Sequence, residues 1–519
     1  MSSRTCDYVA RQSDPESWNG TDSSTFYPNF VSSLGGLELT DWHCPHPPID
    51  QDYSSDDGDD QYCVFHTDPA DVPDSVDERE ALLNALKDAG NSPHADRPEH
   101  RGQFVGATFG AIDLSNETIA ATEHHDIRFD HAQFQINDRD LDFGNITFVT
   151  KDQNPVSFMG AKFITDGEGD LKFYEATFRT DGEGHVLFSG ATFRTNGDGY
   201  VLLSRAEFIT DGEGDVGFRN AMFRTDGEGD VLFTGATFRT DSDGDVSFRE
   251  ATFRTDSDGD VGFREAVFRT GGEGKVGFPV TTFRTNGEGS LTFRDAILTS
   301  VDFRHVEFTE TDFSGVDLTG TDLREANLTS ISVNGATTCK RLSEGYGDER
   351  IIDSPSILVY LKRLYGWSEF DSREWDATAR VYHQLKTVFG DHGLVGKARS
   401  MHVRERRARS LESRAANGRF DRRYLRSLPS RVFTGYGVQV RNLISWMTVL
   451  FFCSTAVYVF AGVEDTLAEN ISYSVLAFTV APPGIPLGLG TQLVMMIETF
   501  FGTLSIVLLG YILGNRERF

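Results

Sequence analysis

Phe223 to Thr237 reads F-R-T-D-G-E-G-D-V-L-F-T-G-A-T, and copies of this fifteen-residue unit run from Phe163 to Phe293. One set of phenylalanines falls at 163, 178, 193, 208, 223, 238, 253, 268 and 283. A second falls at 158, 173, 188, 218, 233, 248, 263, 278 and 293, with Leu203 in the remaining place. Every spacing is a multiple of five. A strict short period predicts a solenoid, in which each unit buries its apolar residues by stacking on the next. Near-identical units leave no unique constellation of reactive groups, and no Ser-His-Asp set or phosphate loop stands out elsewhere. An enzyme is not expected.

Working outward, the five-residue beat starts at Phe104, Phe109, Leu114 and Ile119, and slips by one residue between Phe134 and Phe143. After Phe293 the acidic insertions vanish, and Phe313 to Leu328 reads F-S-G-V-D-L-T-G-T-D-L-R-E-A-N-L. This stretch resembles the pentapeptide-repeat family, A-(D/N)-L-x-x. Over residues 104–338 the resemblance implies a right-handed quadrilateral β-helix with four pentapeptides per coil. It also implies an inward Phe or Leu preceded, two positions earlier, by a small residue. Ala326 stands so before Leu328, and Ala161, Ala176, Ala191, Ala206, Ala221, Ala236, Ala251 and Ala266 stand so before a Phe. The third pentapeptide of each unit departs from the pattern. Its inward position holds Glu168, Glu183, Asp198, Glu213, Glu228, Asp243, Asp258, Glu273 or Glu288. A buried column of unpaired carboxylates is very costly. D-G-E-G is therefore expected to be extruded, leaving two pentapeptides plus a loop per unit. D-G-E-G-D sets carboxylates beside glycines as calcium loops do, but is too short for an EF-hand. Solvated turns are the favoured reading.

The chain has 519 residues and a formal charge of −30, which argues against a nucleic-acid partner held through phosphates. Nine lysines against forty arginines, with 79 acids, resembles proteins of extreme halophiles. There concentrated salt screens self-repulsion within a few Å. Five scattered cysteines do not make a disulfide framework. Met1 to Asn19 is polar, so no secretory signal is expected and the soluble part is placed in the cytoplasm.

Residues 1–70 are polar and acidic, yet hold Cys6, Cys44, Cys63 and His66. These are structural-zinc ligand types, and C-V-F-H at 63–66 has a knuckle-like gap. Zinc would supply a core that this segment otherwise lacks. His46 is the substitute ligand. In 71–103 a helix is expected at 74–89, capped by Ser75, followed by a linker at 90–100. Residues 339–440 are read as helical. Trp375, Ala379, Tyr382, Leu385 and Phe389 keep a helical spacing, broken at Gly390 and Gly393. A basic helix follows at about 394–415, giving a helical hairpin. Lys397 to Arg441 carries thirteen basic residues and three acids, which suits an anionic lipid surface.

Residues 441–519 are apolar. Asn442–Val463 is uncharged over 22 residues, enough to cross a bilayer. Two membrane helices are expected, near 442–462 and 492–514, with a short re-entrant helix at 471–479. The connection holds Glu464, Asp465 and Glu469, while arginines border the outer ends, so both ends are placed in the cytoplasm. This plan resembles the two-transmembrane potassium-channel family, whose filter reads T-V-G-Y-G. Here Thr479 and Val480 match. Ala481 and Pro483 replace the glycines, Pro482 replaces the tyrosine, and Gly484 follows. Gly502 takes the place of the family's hinge glycine. Glu498 is an intramembrane carboxylate and hence a candidate functional residue. The resemblance implies a homotetramer around a permeant cation, with the solenoid offered to an unknown protein partner. The other reading is a non-conducting, membrane-anchored scaffold. Some members of the pentapeptide-repeat family are thought to mimic duplex DNA, and the acidity here fits that too. The expected architecture is thus multidomain: a solenoid, a basic helical region and a two-helix pore-like domain.

Overall fold

The computed structural model describes residues 6–11, 41–49, 61–91, 102–110, 112–122, 125–137, 139–270, 274–285, 289–298, 301–308, 310–339, 372–418, 420–479, 484–486 and 488–515. The chain divides into two units, Met1–Glu349 and Arg350–Phe519.

The first unit is built on a parallel β-solenoid. Among the described residues, short strands stack coil on coil into four sheets of seven, seven, seven and six strands. Lys162–Asp166, Leu171–Lys172, Thr177–Thr180 and Val186–Leu187 take successive faces, and Thr192–Thr195 returns to the first. Phe163 lies opposite Phe193 and Phe178 opposite Phe208, so one coil is thirty residues. Each fifteen-residue unit supplies half a coil: two faces and one D-G-E-G corner. Where the loops vanish the coil contracts. Gly277 bridges to Asp302, twenty-five residues on, and Ile297 to Asp317, twenty on. The one-residue slip appears as a coil of twenty-nine, with Phe134 opposite Phe163.

The phenylalanines form the axis. Phe158, Phe188, Phe218 and Phe248 stack with centroids 4.8, 5.0 and 4.7 Å apart and planes within 4°. That spacing is the strand-to-strand distance, so the backbone ladder sets the ring stacking. Adjacent columns meet edge-on: Phe178 and Phe188 are 5.4 Å apart at 80°. The inward alanines are buried beside them.

The acidic corners are extruded as expected. Glu168, Glu183, Asp198, Glu213 and Glu228 are exposed, while Glu273 and Glu288 lie outside the described residues. The second glycine of each loop is buried against the coil below. A Cβ on Gly214 would overlap the Gly184 carbonyl. The threonine of F-R-T is also fully buried at 180, 195, 225, 240 and 255, and in these copies its hydroxyl donates to the glycine carbonyls. Thr195 reaches Gly199 at 2.7 Å within its own coil, and Thr180 reaches Gly214 at 2.9 Å in the next. The corners are thereby satisfied from inside.

Carboxylates beside the corners stack as well. Asp215 accepts the amide of Asp245, and Asp245 accepts that of Lys275, each at 2.7 Å. Burial, with Asp215 nearby, pushes the Asp245 carboxyl above the usual range. The folded state therefore binds this proton more tightly than the unfolded state, and the ionised form costs stability at neutral pH. Asp245→Asn is expected to stabilise the solenoid by up to about 1 kcal/mol at low salt. In denaturant melts the gain should shrink in molar salt, and vanish as pH falls through the folded pKa of Asp245.

Every second face, the one built on a two-residue strand, ends in a turn whose last residue has positive φ. Asn145, Gly160, Gly190, Asn220 and Gly235 occupy such places at φ of 56–69°. Val280 sits there too, at φ 60°. A β-branched residue is strained in this region. Val280→Gly is expected to raise stability by about 0.5–1 kcal/mol, after the entropy cost of glycine. Thermal unfolding would check it.

Helix α1 (Glu78–Asn91) packs beside the first coils. Glu78 accepts the Gly110 amide at 3.1 Å, and Arg79 pairs with Glu117. Its cap is Asp77, which accepts from the Glu80 amide at 3.1 Å, not the expected Ser75. A carboxylate three residues before that amide is as good a cap as a hydroxyl. The helix runs through Asn91, into the expected linker.

The second unit begins with the expected hairpin, α2 (Ser372–Asp391) and α3 (Val395–Asn417). Trp375, Ala379, Tyr382, Leu385 and Phe389 are all buried. Gly390 does not break α2, which ends one residue later. Glu405 of α3 takes Lys386 at 2.9 Å and His383 at 3.0 Å. Then come α4 (Arg422–Pro429), α5 (Val440–Ala461), α6 (Leu467–Phe478) and α7 (Leu489–Asn515).

Candidate functional site

Two places gather chemistry. The first lies in the N-terminal segment. Val9–Arg11 pairs antiparallel with Asp41–His43, which sets Cys6 and Cys44 at adjacent strand ends. Cys63–His66 forms a tight turn, with the His66 amide 3.0 Å from the Cys63 carbonyl. The Sγ atoms of Cys6, Cys44 and Cys63 and a ring nitrogen of His66 lie within 4.8 Å of one another. Cys44 Sγ is 3.6 Å from Cys63 Sγ, too far for a disulfide. His66 Nδ1 is 3.2 Å from Cys63 Sγ and 4.0 Å from Cys6 Sγ. All three cysteines are buried. Burial pushes the Cys44 and Cys63 thiols up. Hydrogen bonds from Cys44 and then Cys63 hold Cys6 down.

His46 is not a ligand here. Its Nε2 is 2.9 Å from the Gln103 carbonyl, and its ring stacks on Phe104 at 4.8 Å and 17°. The substitute ligand is not called on: His66 joins the sulfurs, and the His46 ring is committed to the apolar end of the solenoid. Sequence spacing gave no signal for that role.

The second place is the apolar end of the second unit. Val440–Ala461 and Leu489–Gly514 are long and apolar enough to cross a membrane, with mean hydropathies of 1.9 and 2.0. Helix α6, of twelve residues, spans about 18 Å and is too short to cross. Its start was legible but missed: T-L-A-E at 466–469 is a capping box. Thr466 accepts the Glu469 amide at 3.2 Å, and Glu469 accepts the Thr466 amide at 3.0 Å. Glu498 of α7 is fully buried. It accepts from Tyr458 of α5 at 2.7 Å and from Ser474 of α6. Tyr458, also fully buried, was not foreseen, because an aromatic in an apolar run carries no mark of its partner.

Gly502 lies within the continuous helix α7. A Cβ there would come 2.6 Å from the Phe478 carbonyl, so α7 passes close to the C-terminal end of α6. Thr479 closes α6, its amide 3.2 Å from the Val475 carbonyl. Val480, Ala481, Pro482 and Pro483 lie outside the described residues. Gly484, beyond them, accepts the Tyr473 hydroxyl at 2.7 Å. Met495, Thr499, Thr503 and Val507 line an open apolar groove along α7.

The fold defines a β-solenoid protein with two apolar helices in its second unit. Residues 292–335 match the family described as pentapeptide repeats, in eight copies. Among solved structures, the chain is 15% identical to HetL, a pentapeptide repeat protein involved in heterocyst differentiation regulation from the cyanobacterium Nostoc sp. Strain PCC 7120. That match covers 44% of this chain and 91% of HetL, with a TM-score of 0.20. It is 13% identical to QnrB1, a plasmid-mediated fluoroquinolone resistance protein, over 44% of this chain and 92% of the other, with a TM-score of 0.13. No curated protein matches the chain.

Proposed function

We propose that this chain is a membrane protein whose C-terminal module forms a cation pore as a homotetramer, with the solenoid as a cytoplasmic arm for a protein partner. The observation that carries the reading is Glu498. It ties a helix too short to span to both helices that are long enough, which is the plan of helix, pore helix, helix. Large apolar side chains remain exposed on α5 and α7, among them Phe452, Phe460, Phe500 and Val507. Lipid and further copies of the chain suit that surface, and only several copies can enclose a path. The sequence sets Pro482 and Pro483 after Thr479, and backbone that cannot be helical is tolerable in a membrane only where it lines water or is buried in protein. The basic residues before α5 suit an anionic headgroup layer and a cytoplasmic placement.

The full chain in detergent is expected to have the mass of a tetramer, and to pass cation current in planar bilayers. Under opposed potassium and sodium gradients the reversal potential should show weak selectivity. Pro482 and Pro483 have fixed φ, and Ala481 and Pro483 stand where the filter's glycines would be. A strongly potassium-selective current would refute the filter argument. A monomer without current would favour the anchored scaffold.

A further inference from the structure

We infer that Cys6, Cys44, Cys63 and His66 hold one zinc ion, and that this metal clamps a cap onto the open N-terminal end of the solenoid. A tetrahedral zinc with three Zn–S bonds of about 2.3 Å needs sulfurs about 3.8 Å apart and the nitrogen slightly nearer. Cys44 and Cys63 stand 3.6 Å apart, and all four ligand atoms fall within 4.8 Å. The outer ligand shell is in place too. His66 presents Nδ1 to the sulfurs, while its Nε2 lies 3.0 Å from the Val105 carbonyl and donates to it. That bond fixes the tautomer a metal requires. The Cys63 amide donates to Cys6 Sγ at 3.2 Å, which suits a thiolate. Binding releases the thiol protons to solvent and leaves a Zn(Cys)3(His) centre of net charge −1.

The position of the site gives it a task. A solenoid's terminal coil has no neighbour and leaves an apolar end and an unpaired edge. Here His46 continues the Phe104–Phe129 column by one step. It stacks on Phe104 at 4.8 Å, the same interval that separates Phe104 from Phe129. Phe65, inside the C-V-F-H turn, meets Phe104 edge-on at 5.0 Å, and its carbonyl takes the Thr108 amide at 2.8 Å. These two rings stand where a preceding coil would stand. Neither lies on a described helix or strand, and the ligand cluster holds together the segments that carry them.

The full-length protein is expected to carry one zinc per chain by metal analysis. Cobalt exchanged into it should show the intense thiolate charge-transfer absorption of a three-sulfur tetrahedral site. Cys63→Ala and His66→Ala should lose the metal, whereas Cys453→Ser, in α5, should keep it. Stripping the metal should speed hydrogen exchange at the Thr108 amide and leave that of Phe248 protected. The cobalt spectrum is read on the unaltered chain, so it tests the ligand set even if a variant misfolds. A spectrum without thiolate bands, or equal metal content in the variants, would overturn the zinc site. Unchanged Thr108 protection after stripping would overturn the cap. Neither outcome bears on the pore.

Discussion

Phe188→Ala is expected to destabilise the solenoid by about 3–5 kcal/mol. The ring is fully buried and is gripped from both neighbouring coils, by Phe158 at 4.8 Å and Phe218 at 5.0 Å. Phe163 and Phe178 press on it from the adjoining columns. Those rings are fixed by the strand ladder, so they cannot collapse into the space. The cost should therefore sit near the top of its range, since incomplete relaxation is what makes cavities expensive. Glu228→Gln is the matched control. Glu228 is exposed on a corner, and its exchange should alter the melting curve by no more than ~0.5 kcal/mol. Chemical denaturation of the two variants gives the comparison. A loss at Glu228 equal to that at Phe188 would mean that the inside and outside of the coil have been exchanged.

The part of this fold that could be read from the sequence is the part with a period. Phe163 to Phe293 announced both the solenoid and the inward face, and the cost of burying Glu183 or Glu213 placed the loops outside. The coil length followed from two expectations taken together, four pentapeptides per coil and two pentapeptides plus a loop per unit, and the structure has it at thirty residues. The buried threonines of F-R-T were not foreseen. A hydroxyl on a strand reads as surface until a carbonyl is found to receive it, and that carbonyl belongs to the loop, or to the next coil, as Gly214 does for Thr180. At the N-terminus residue chemistry singled out Cys6, Cys44, Cys63 and His66. It ranked His66 above His46 on the C-V-F-H gap, but only the third dimension shows that one imidazole faces sulfur and the other faces Phe104. In the apolar C-terminal module lengths and charges located the helices, and the capping box at Thr466 was available to refine the start of α6. The partners of Glu498 lie 24 and 40 residues away in the chain, beyond any local pattern.

Glu498→Ala is expected to dismantle the apolar C-terminal module, and Glu498→Gln to preserve most of it. The carboxylate joins three helices that share few other polar contacts. Its two oxygens take separate donors, the Tyr458 hydroxyl at 2.7 Å and the Ser474 hydroxyl. Alanine removes both acceptors at once. Each orphaned hydroxyl, shut away from water, costs about 1–3 kcal/mol. The cavity left beneath Tyr458, itself fully buried, adds to that. Glutamine keeps one carbonyl acceptor, so one of the two bonds survives, and its amide can turn as a donor towards a hydroxyl oxygen. The order of stability in detergent, followed by intrinsic tryptophan fluorescence on heating, should be wild type, then glutamine, then alanine. The pore reading adds a second consequence. Helix α6 is held at its place by Ser474, so its release should abolish current at temperatures where the solenoid remains folded. An alanine variant as stable and as conductive as the wild type would show that Glu498 does not anchor the short helix, and the main support for a pore-helix plan would be gone.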